Sequence, residues 1–413
     1  MSARRIAIVG AGVAGVQAAL GARSIDPDAL ITLYGAEDVT PYDRTALSKQ
    51  VLVEGTDPER LPIVPPGQWH VANVALRKGV RVASIDTAGS ALRLDDGTSE
   101  TYDVLILATG AEVRRLPDVP AGSVHYIRNR ADALELRRGL LEARRLVVIG
   151  AGLIGLEVAA AARALGIDVE VLEADDVILR RSADEATAAV VDGMHRDNGV
   201  RMRTGMHVSS LEALSPGVRV NLTGGEHVDA DVVVAGIGVV PNVLLAEAAG
   251  IATDDGVLVD EFGRTSVANV YAAGDVARLP LPFSDVSVRA ESWRHAQDHG
   301  HAVGRNAAGA NEAFGAVPGF WSDQFGRRIL GCGFLRAEST CITRRYPDGS
   351  HTSFLVGADR VVRGAIGIDR AQDINAARRL VAARTAVDPV ALADPGVSVS
   401  RIVKSLISQG SNP

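Results

Sequence analysis

Residues 147–158 read VVIGAGLIGLEV, and residues 6–16 have already read IAIVGAGVAGV. Each is a run of aliphatic residues ending in Gly-x-Gly-x-x-Gly, with Gly10, Gly12 and Gly15 in the first and Gly150, Gly152 and Gly155 in the second. Such a run is a buried strand. The glycines turn it into a helix and let backbone amides approach a pyrophosphate at the helix N-terminus, where partial positive charge lies. One loop of this kind also serves packing alone. Two, in the same strand-to-helix context, predict two separate dinucleotide sites, and they place the chain in the α/β class with two Rossmann-like dinucleotide-binding domains.

At 413 residues the chain has room for two to three domains, and 47% hydrophobic with 23% charged residues suits a globular protein with large cores. The opening MSARR before an apolar run resembles a secretory leader, but cleavage after that run would delete the first glycine loop. No uninterrupted apolar stretch reaches the roughly 18 residues of a membrane helix. A cytoplasmic location without a membrane is therefore expected. The two cysteines, Cys332 and Cys341, form no Cys-x-x-Cys motif, so neither a disulfide framework nor a redox-active pair is indicated. A net charge of −7 argues against a general nucleic-acid binder. That charge is unevenly placed. From Phe320 to Pro413 there are 13 Arg and Lys against 8 Asp and Glu, a net of +5, which leaves −12 for the rest.

Strand-like and helix-like runs alternate from Arg4 to about Gly110, where VLILATG ends a strand in a tight turn. A second βαβ series starts near Leu146 and closes with VVVAGIGVVPN at Val232 to Asn242. VYAAGDVA follows at Val270 to Ala277, then the polar helix ESWRHAQDHGHAVGRN. The last ninety or so residues differ in texture: CITRRY, the turn PDGS, TSFLV and RVVRGAIGI predict an antiparallel meander, and AQDINAARRLVAARTA a helix after it. That is a smaller C-terminal α+β domain.

A carboxylate ending the strand after a glycine-loop helix accepts hydrogen bonds from adenine ribose hydroxyls. Glu173, closing VEVLE, fits that place, and Asp175 and Asp176 beside it oppose a 2′-phosphate. NADH is therefore expected over NADPH, with Arg180 and Arg181 as the opposing feature. Asp275 in AAGD comes so late in the chain that it suits a long cofactor gripped from both ends of a discontinuous domain. FAD is such a cofactor.

Taken together and in order, GAGVAG, PYDRTALSK, LILATGA, GAGLIGLE, AGIGVVPN, YAAGD, ESW and FWSDQ resemble the FAD-dependent pyridine-nucleotide reductases related to glutathione reductase. More narrowly, the chain is similar to the NADH:ferredoxin reductases that serve bacterial aromatic-ring dioxygenases and cytochrome P450 systems. The resemblance implies an FAD domain at 1–110 and 243–319, an inserted NAD domain at 111–242 and a C-terminal domain at 320–413. Two departures stand out. The family usually has Asp where YGAED has Ala36, so Glu37 is expected to hold the FAD ribose; and the family's Arg-Pro-Pro-Leu-Ser-Lys is RTALSK here, without two stiffening prolines.

The resemblance also implies residue roles. Lys49 lies beside the isoalloxazine and pairs with Glu157 on the second dinucleotide helix. Independent support is that only Lys49, Lys78 and Lys404 are lysines among 43 basic residues, so a compact ammonium at Lys49 answers a specific demand. Trp293 is placed against the flavin, Trp321 near the route to a protein partner, and Arg44 and Arg128 on FAD. Ala14, Val82, Ala108, Thr109, Gly110, Ile154, Gly236, Ile237, Gly238, Gly274 and Ser292 join the cofactor-binding set. His295, Asp298 and His299 in HAQDH lack the Glu and third ligand of a zinc site, so a solvated helix is expected there and no metal.

Hydride transfer from nicotinamide to flavin leaves the question of the acceptor. No paired-cysteine relay exists for a disulfide substrate, and no single cysteine stands near TALSKQ for peroxide or oxygen reduction. A small acidic [2Fe-2S] ferredoxin, needing only close docking, is the leading acceptor, ahead of a rubredoxin or an NADH-sensing role like that of apoptosis-inducing factor. The basic C-terminal region predicts its docking surface, with Arg327, Arg328, Arg344 and Arg345 as the charges and Trp321 near the contact. The competing reading is that these arginines only solvate the outer faces of the meander. The chain is expected to be a monomer or homodimer.

Overall fold

The computed structural model describes residues 3–284, 286–335 and 339–410, the last four by their backbone alone. The chain falls into two compact units, one of Met1–Asp43, Asp57–Glu112 and Val239–Pro318, the other of Arg44–Thr56, Val113–Gly238 and Gly319–Pro413.

In the first unit, five parallel strands lie in the order Val270–Ala272, Val104–Leu107, Arg5–Val9, Leu30–Gly35, Val74–Lys78. The glycine-loop strand Arg5–Val9 is central and buried on both faces, which is why it reads as an unbroken aliphatic run rather than an alternation. Helix Val13–Ile25 packs against helix Trp293–Ala307, although 267 residues lie between them in the chain. Small residues make that approach possible: a Cβ at Gly300 would lie 2.3 Å from the Ala14 carbonyl oxygen, and one at Gly304 would lie 2.0 Å from that of Ala18. The discontinuous N-terminal domain is thus closed backbone against backbone.

The second unit repeats the scheme with four parallel strands, ordered Val200–Arg203, Asp168–Leu172, Arg145–Ile149, Val232–Ala235. In each unit a three-stranded antiparallel ribbon precedes the strand that returns beside the glycine-loop strand: Val82–Asp86, Ala91–Leu94 and Ser99–Thr101 in one, Val208–Ala213, Val218–Leu222 and His227–Ala230 in the other. The βαβ reading of the sequence did not distinguish these ribbons. Val218–Leu222 alternates buried and half-buried residues, the period of a strand with one covered face.

The C-terminal stretch forms the expected meander, Thr340–Arg345, His351–Val356 and Val362–Ile368, all antiparallel. A hairpin of Gly319–Gln324 and Arg327–Gly333 adds to the Val362–Ile368 edge, and helix Ala371–Ala383 follows. No helix among the described residues is long and apolar enough to cross a membrane.

Candidate functional site

The three glycines of each loop have different physical reasons. Gly10 has φ +112°, and a Cβ there would sit 2.1 Å from the Ala108 carbonyl oxygen; one on Gly15 would sit 1.9 Å from that of Gly10. Gly150 and Gly155 repeat this, at 2.6 Å from Gly236 O and 2.2 Å from Gly150 O. The outer glycines are thus required by internal packing, and each loop is pressed against a second glycine turn, residues 108–110 or 236–238. The middle glycines are not so required. A Cβ at Gly12 would meet nothing within 4 Å, and at Gly152 only Gly236 O, at 3.9 Å. Both are helix N-caps and neither helix start is capped by a side chain. Open space before uncapped amides is what a pyrophosphate needs, so both loops fit the dinucleotides expected of them.

Around the first loop, Glu37 is half-buried and accepts a hydrogen bond from Tyr42 Oη at 2.8 Å, which aims its carboxylate. Ala36 beside it is exposed. The turn at Thr109 and Gly110 is clamped by Asn242: Thr109 Oγ1 donates to Asn242 O at 3.0 Å, Asn242 Nδ2 donates to Thr109 O at 2.9 Å, and Asn242 N to Gly110 O at 3.0 Å. Asn242 ends the quoted VVPN run but had no role assigned from sequence. Ala14 and Val82 are buried, Val82 at the start of its ribbon. Gly274 and Asp275 form a one-turn helix with Asp275 half-buried. Arg44 donates to the Arg128 carbonyl oxygen at 2.7 Å, so these two flavin candidates of the second unit stand together.

Around the second loop, Glu173 Oε2 accepts from the amide of Ala151, inside the glycine loop, at 2.6 Å. Its Oε1 accepts from Asp175 N at 2.9 Å. The carboxylate is thereby held on the loop. Arg180 is engaged by Asp176 at 2.8 Å and faces Asp175 at 3.9 Å, so its charge is already matched. Gly236 N donates to Ile149 O, Gly238 has φ +100° beside the Arg181 guanidinium, and Ile154 is 49% exposed at the helix start, with Ile237 after Gly236 half-buried.

Lys49 Nζ lies 2.9 Å from Glu157 Oε1, with Glu157 only 3% exposed. Lys49 also donates to the Thr45 carbonyl oxygen at 3.2 Å. Two hydroxyls complete the carboxylate's shell, Ser48 Oγ on Oε2 and Ser322 Oγ on Oε1 at 2.5 Å. A buried carboxylate is tolerated only with such full satisfaction. Ser48 and Ser322 were quoted within motifs, yet no role was read for them, because their sequence distance from Glu157 hides the meeting. Trp321 is half-buried on the strand carrying Ser322.

The helix after ESW corrects one expectation. Ser292 is its N-cap, accepting from His295 N, and Trp293 opens it half-buried. Asp298 pairs with Arg294 near the surface, but His295 is 1% and His299 0% exposed, so this is no solvated helix. The reason is that Gly300 and Gly304 draw it against the first helix and turn the imidazoles inward onto Phe314, at ring distances of 5.6 and 4.8 Å. Among the described residues both ring nitrogens of His295 lack hydrogen-bond partners. Burial lowers its pKa from 6.5 to about 4. The unfolded chain therefore binds the extra proton below pH 6.5, and stability present above that value is lost as pH falls toward about 4. The expected loss at the low end is roughly 3 kcal/mol. Thermal midpoints measured across this window should fall, and His295→Leu should lessen the fall, with His299, whose pKa burial also lowers, supplying the remainder; a wild-type midpoint that ignores pH there would contradict a neutral buried His295.

A second correction concerns docking. Arg344 is 1% exposed and cannot meet a partner. Strand alternation in Thr340–Arg345 turns it inward, where it donates to the carbonyl oxygens of Val397 at 2.7 Å and Ala391 at 3.0 Å, and also to that of Leu392. Arg327 pairs with Asp369 and Arg328 with Asp323. Of the four arginines, only Arg345 is both exposed and outside these pairings. One of the four proposed docking charges is therefore buried and two are held by carboxylates of the same domain.

Comparison with known proteins agrees with this geometry. The family model for pyridine nucleotide-disulphide oxidoreductases matches residues 4–300, and a reductase C-terminal model matches residues 319–403. The chain is 41% identical over 403 residues to the anthranilate 1,2-dioxygenase system ferredoxin–NAD(+) reductase component of Burkholderia cepacia, covering 97% of this chain and 99% of that one. The crystal structure of the ferredoxin reductase for the CYP199A2 system from Rhodopseudomonas palustris matches with a TM-score of 0.92 at 32% identity, over 96% of this chain and 99% of that chain. A chain in the covalent putidaredoxin reductase–putidaredoxin complex matches with a TM-score of 0.92 at 33% identity, over 98% and 99%.

Proposed function

This chain belongs to the pyridine nucleotide-disulphide oxidoreductase family, and from that membership we propose that it is an FAD-dependent NADH:ferredoxin reductase. Its electrons go singly to a small [2Fe-2S] ferredoxin that feeds a Rieske-type oxygenase or a cytochrome P450. The observation that carries the proposal is the pair of glycine loops, each with an open middle glycine before an uncapped helix. When bound, FAD supplies the chemistry that joins a two-electron donor to a one-electron acceptor.

The chain's residues divide the remaining work. Gly10, Gly12 and Gly15 admit the FAD pyrophosphate, with Glu37 and Asp275 as acceptors for its ribose and ribityl hydroxyls and Arg44 and Arg128 as donors. Gly150, Gly152, Gly155 and Glu173 take NADH. Lys49, held by Glu157, presents a positive charge where negative charge develops on reduction. Thiol chemistry is disfavoured: Cys332 and Cys341 are both free, and burial pushes the Cys332 thiol up to about 12. The names of the relatives, a dioxygenase-system component and a reductase joined to putidaredoxin, support a ferredoxin as the acceptor.

The test is NADH oxidation coupled to reduction of a [2Fe-2S] ferredoxin. NADH is expected to exceed NADPH in kcat/KM by at least about tenfold, because Glu173, Asp175 and Asp176 repel a 2′-phosphate. Glu173→Ala combined with Asp175→Arg and Asp176→Arg should narrow or reverse that ratio, repulsion being replaced by phosphate donors. Equal use of both nucleotides by the wild type sinks the role given to Glu173. Rapid flavin reduction with no ferredoxin turnover would favour a sensing flavoprotein instead.

A further inference from the structure

The shell of Glu157 continues inward. Gln324 Nε2 donates to Ser322 Oγ at 2.9 Å, and Gln324 Oε1 lies 2.8 Å from Nε2 of His195, which is 0% exposed. Ser322 and Gln324 are two apart on strand Gly319–Gln324 and so share its inward face, both nearly inaccessible to solvent. The direction of every bond is forced. A carboxylate paired to an ammonium only accepts, so the single hydroxyl proton of Ser322 goes to Glu157. Ser322 Oγ must then accept from the Gln324 amide nitrogen, which leaves the amide oxygen facing His195. An oxygen there requires the imidazole proton on Nε2, leaving Nδ1 bare, and Nδ1 has no partner among the described residues.

We propose that Ser322 and Gln324 are positioning residues for Lys49: the directed chain His195–Gln324–Ser322 fixes the Glu157 carboxylate, and with it the place of the Lys49 ammonium. Three observations support this. The contacts are charge-assisted or fully buried, where hydrogen bonds polarise one another and an unmade one is costly. Burial holds His195 below the usual imidazole range, so it enters the chain as a neutral donor with a single tautomer. Phe325 stacks edge-on against its ring at 4.9 Å, which limits its rotation. The inference deepens the proposed reductase reading and rests on it for the kinetic consequence, but the network can be tested without turnover.

The probe is the lysine side chain. With only three lysines in the sequence, protein labelled with [6-13C]lysine should give three resolvable Cε signals, and Lys49→Arg identifies the one from Lys49. In the FAD-loaded protein without NADH, Ser322→Ala and Gln324→Met should each move the Lys49 signal and leave those of Lys78 and Lys404 in place. Stopped-flow flavin reduction by NADH should slow on the order of tenfold, the size of one lost buried hydrogen bond, with little change in NADH affinity. Ser322→Thr, which keeps the hydroxyl, should restore both signal and rate. Should Gln324→Met not fold, Ser322→Ala carries the test alone. A lowered thermal midpoint with an unmoved Lys49 signal and an unchanged rate would mean that the chain only packs the interior. Wild-type protein that moves no hydride at all would refute the reductase reading, while the lysine signals would still decide on the network.

Discussion

Lys49→Ala should slow reduction of bound flavin by NADH on the order of 10²–10³-fold, the scale seen when one preorganised charge or donor is removed from a developing negative charge. FAD content should change far less. The substitution has a second effect that must be separated from the first. It leaves Glu157, 3% exposed, without the cation 2.9 Å away, and an unpaired buried carboxylate typically costs about 3–5 kcal/mol. Ser48 and Ser322 still donate to it, so the lower end is expected. The double substitution Lys49→Met with Glu157→Gln removes both charges together. Thermal stability should recover in that variant and the reduction rate should not. If the double variant regains the rate, Lys49 acts only by balancing charge; an unchanged rate in Lys49→Ala would mean that it is peripheral.

Asp275→Ala should purify pale, with FAD affinity reduced on the order of 10- to 100-fold, the range for a hydrogen bond to a charged acceptor. The position is prepared for this role. Gly274 has φ +76°, and a Cβ on it would stand 2.6 Å from Ala14 Cβ, so the turn lies directly on the glycine-loop helix. Its amide donates to Nδ1 of the buried His299 at 3.3 Å, which holds the turn from the other side. Asp275→Asn keeps an acceptor oxygen without the charge and should retain more flavin than the alanine variant. The flavin-to-protein absorbance ratio and equilibrium dialysis measure both. Full flavin content in Asp275→Ala would remove Asp275 from the binding set.

The two dinucleotide folds were legible because their signals are local: a strand, three glycines and a helix start within a dozen residues, written twice. Glu173 was legible by the same rule, as the acid at the end of the next strand. The C-terminal meander could be read from alternation and a turn. What misled was polarity taken at face value. HAQDHGH is polar in composition, yet Gly300 and Gly304 pull it against another helix and bury two imidazoles. Arg344 counted as a docking charge, yet it stands at an inward position of its strand and serves three carbonyl oxygens.

By itself, then, the sequence determined the fold class and the two nucleotide loops, since each depends on contacts between near neighbours along the chain; the candidate lysine was named by the resemblance, and its partner Glu157 lies far from it in sequence. Only the tertiary structure decided which polar groups are inside and whom they meet. Glu157 joins Ser48 across 109 residues and Ser322 across 165. No local pattern encodes such meetings, because they follow from how whole strands and helices pack, and a buried charge is stable only where that packing brings every one of its partners within reach.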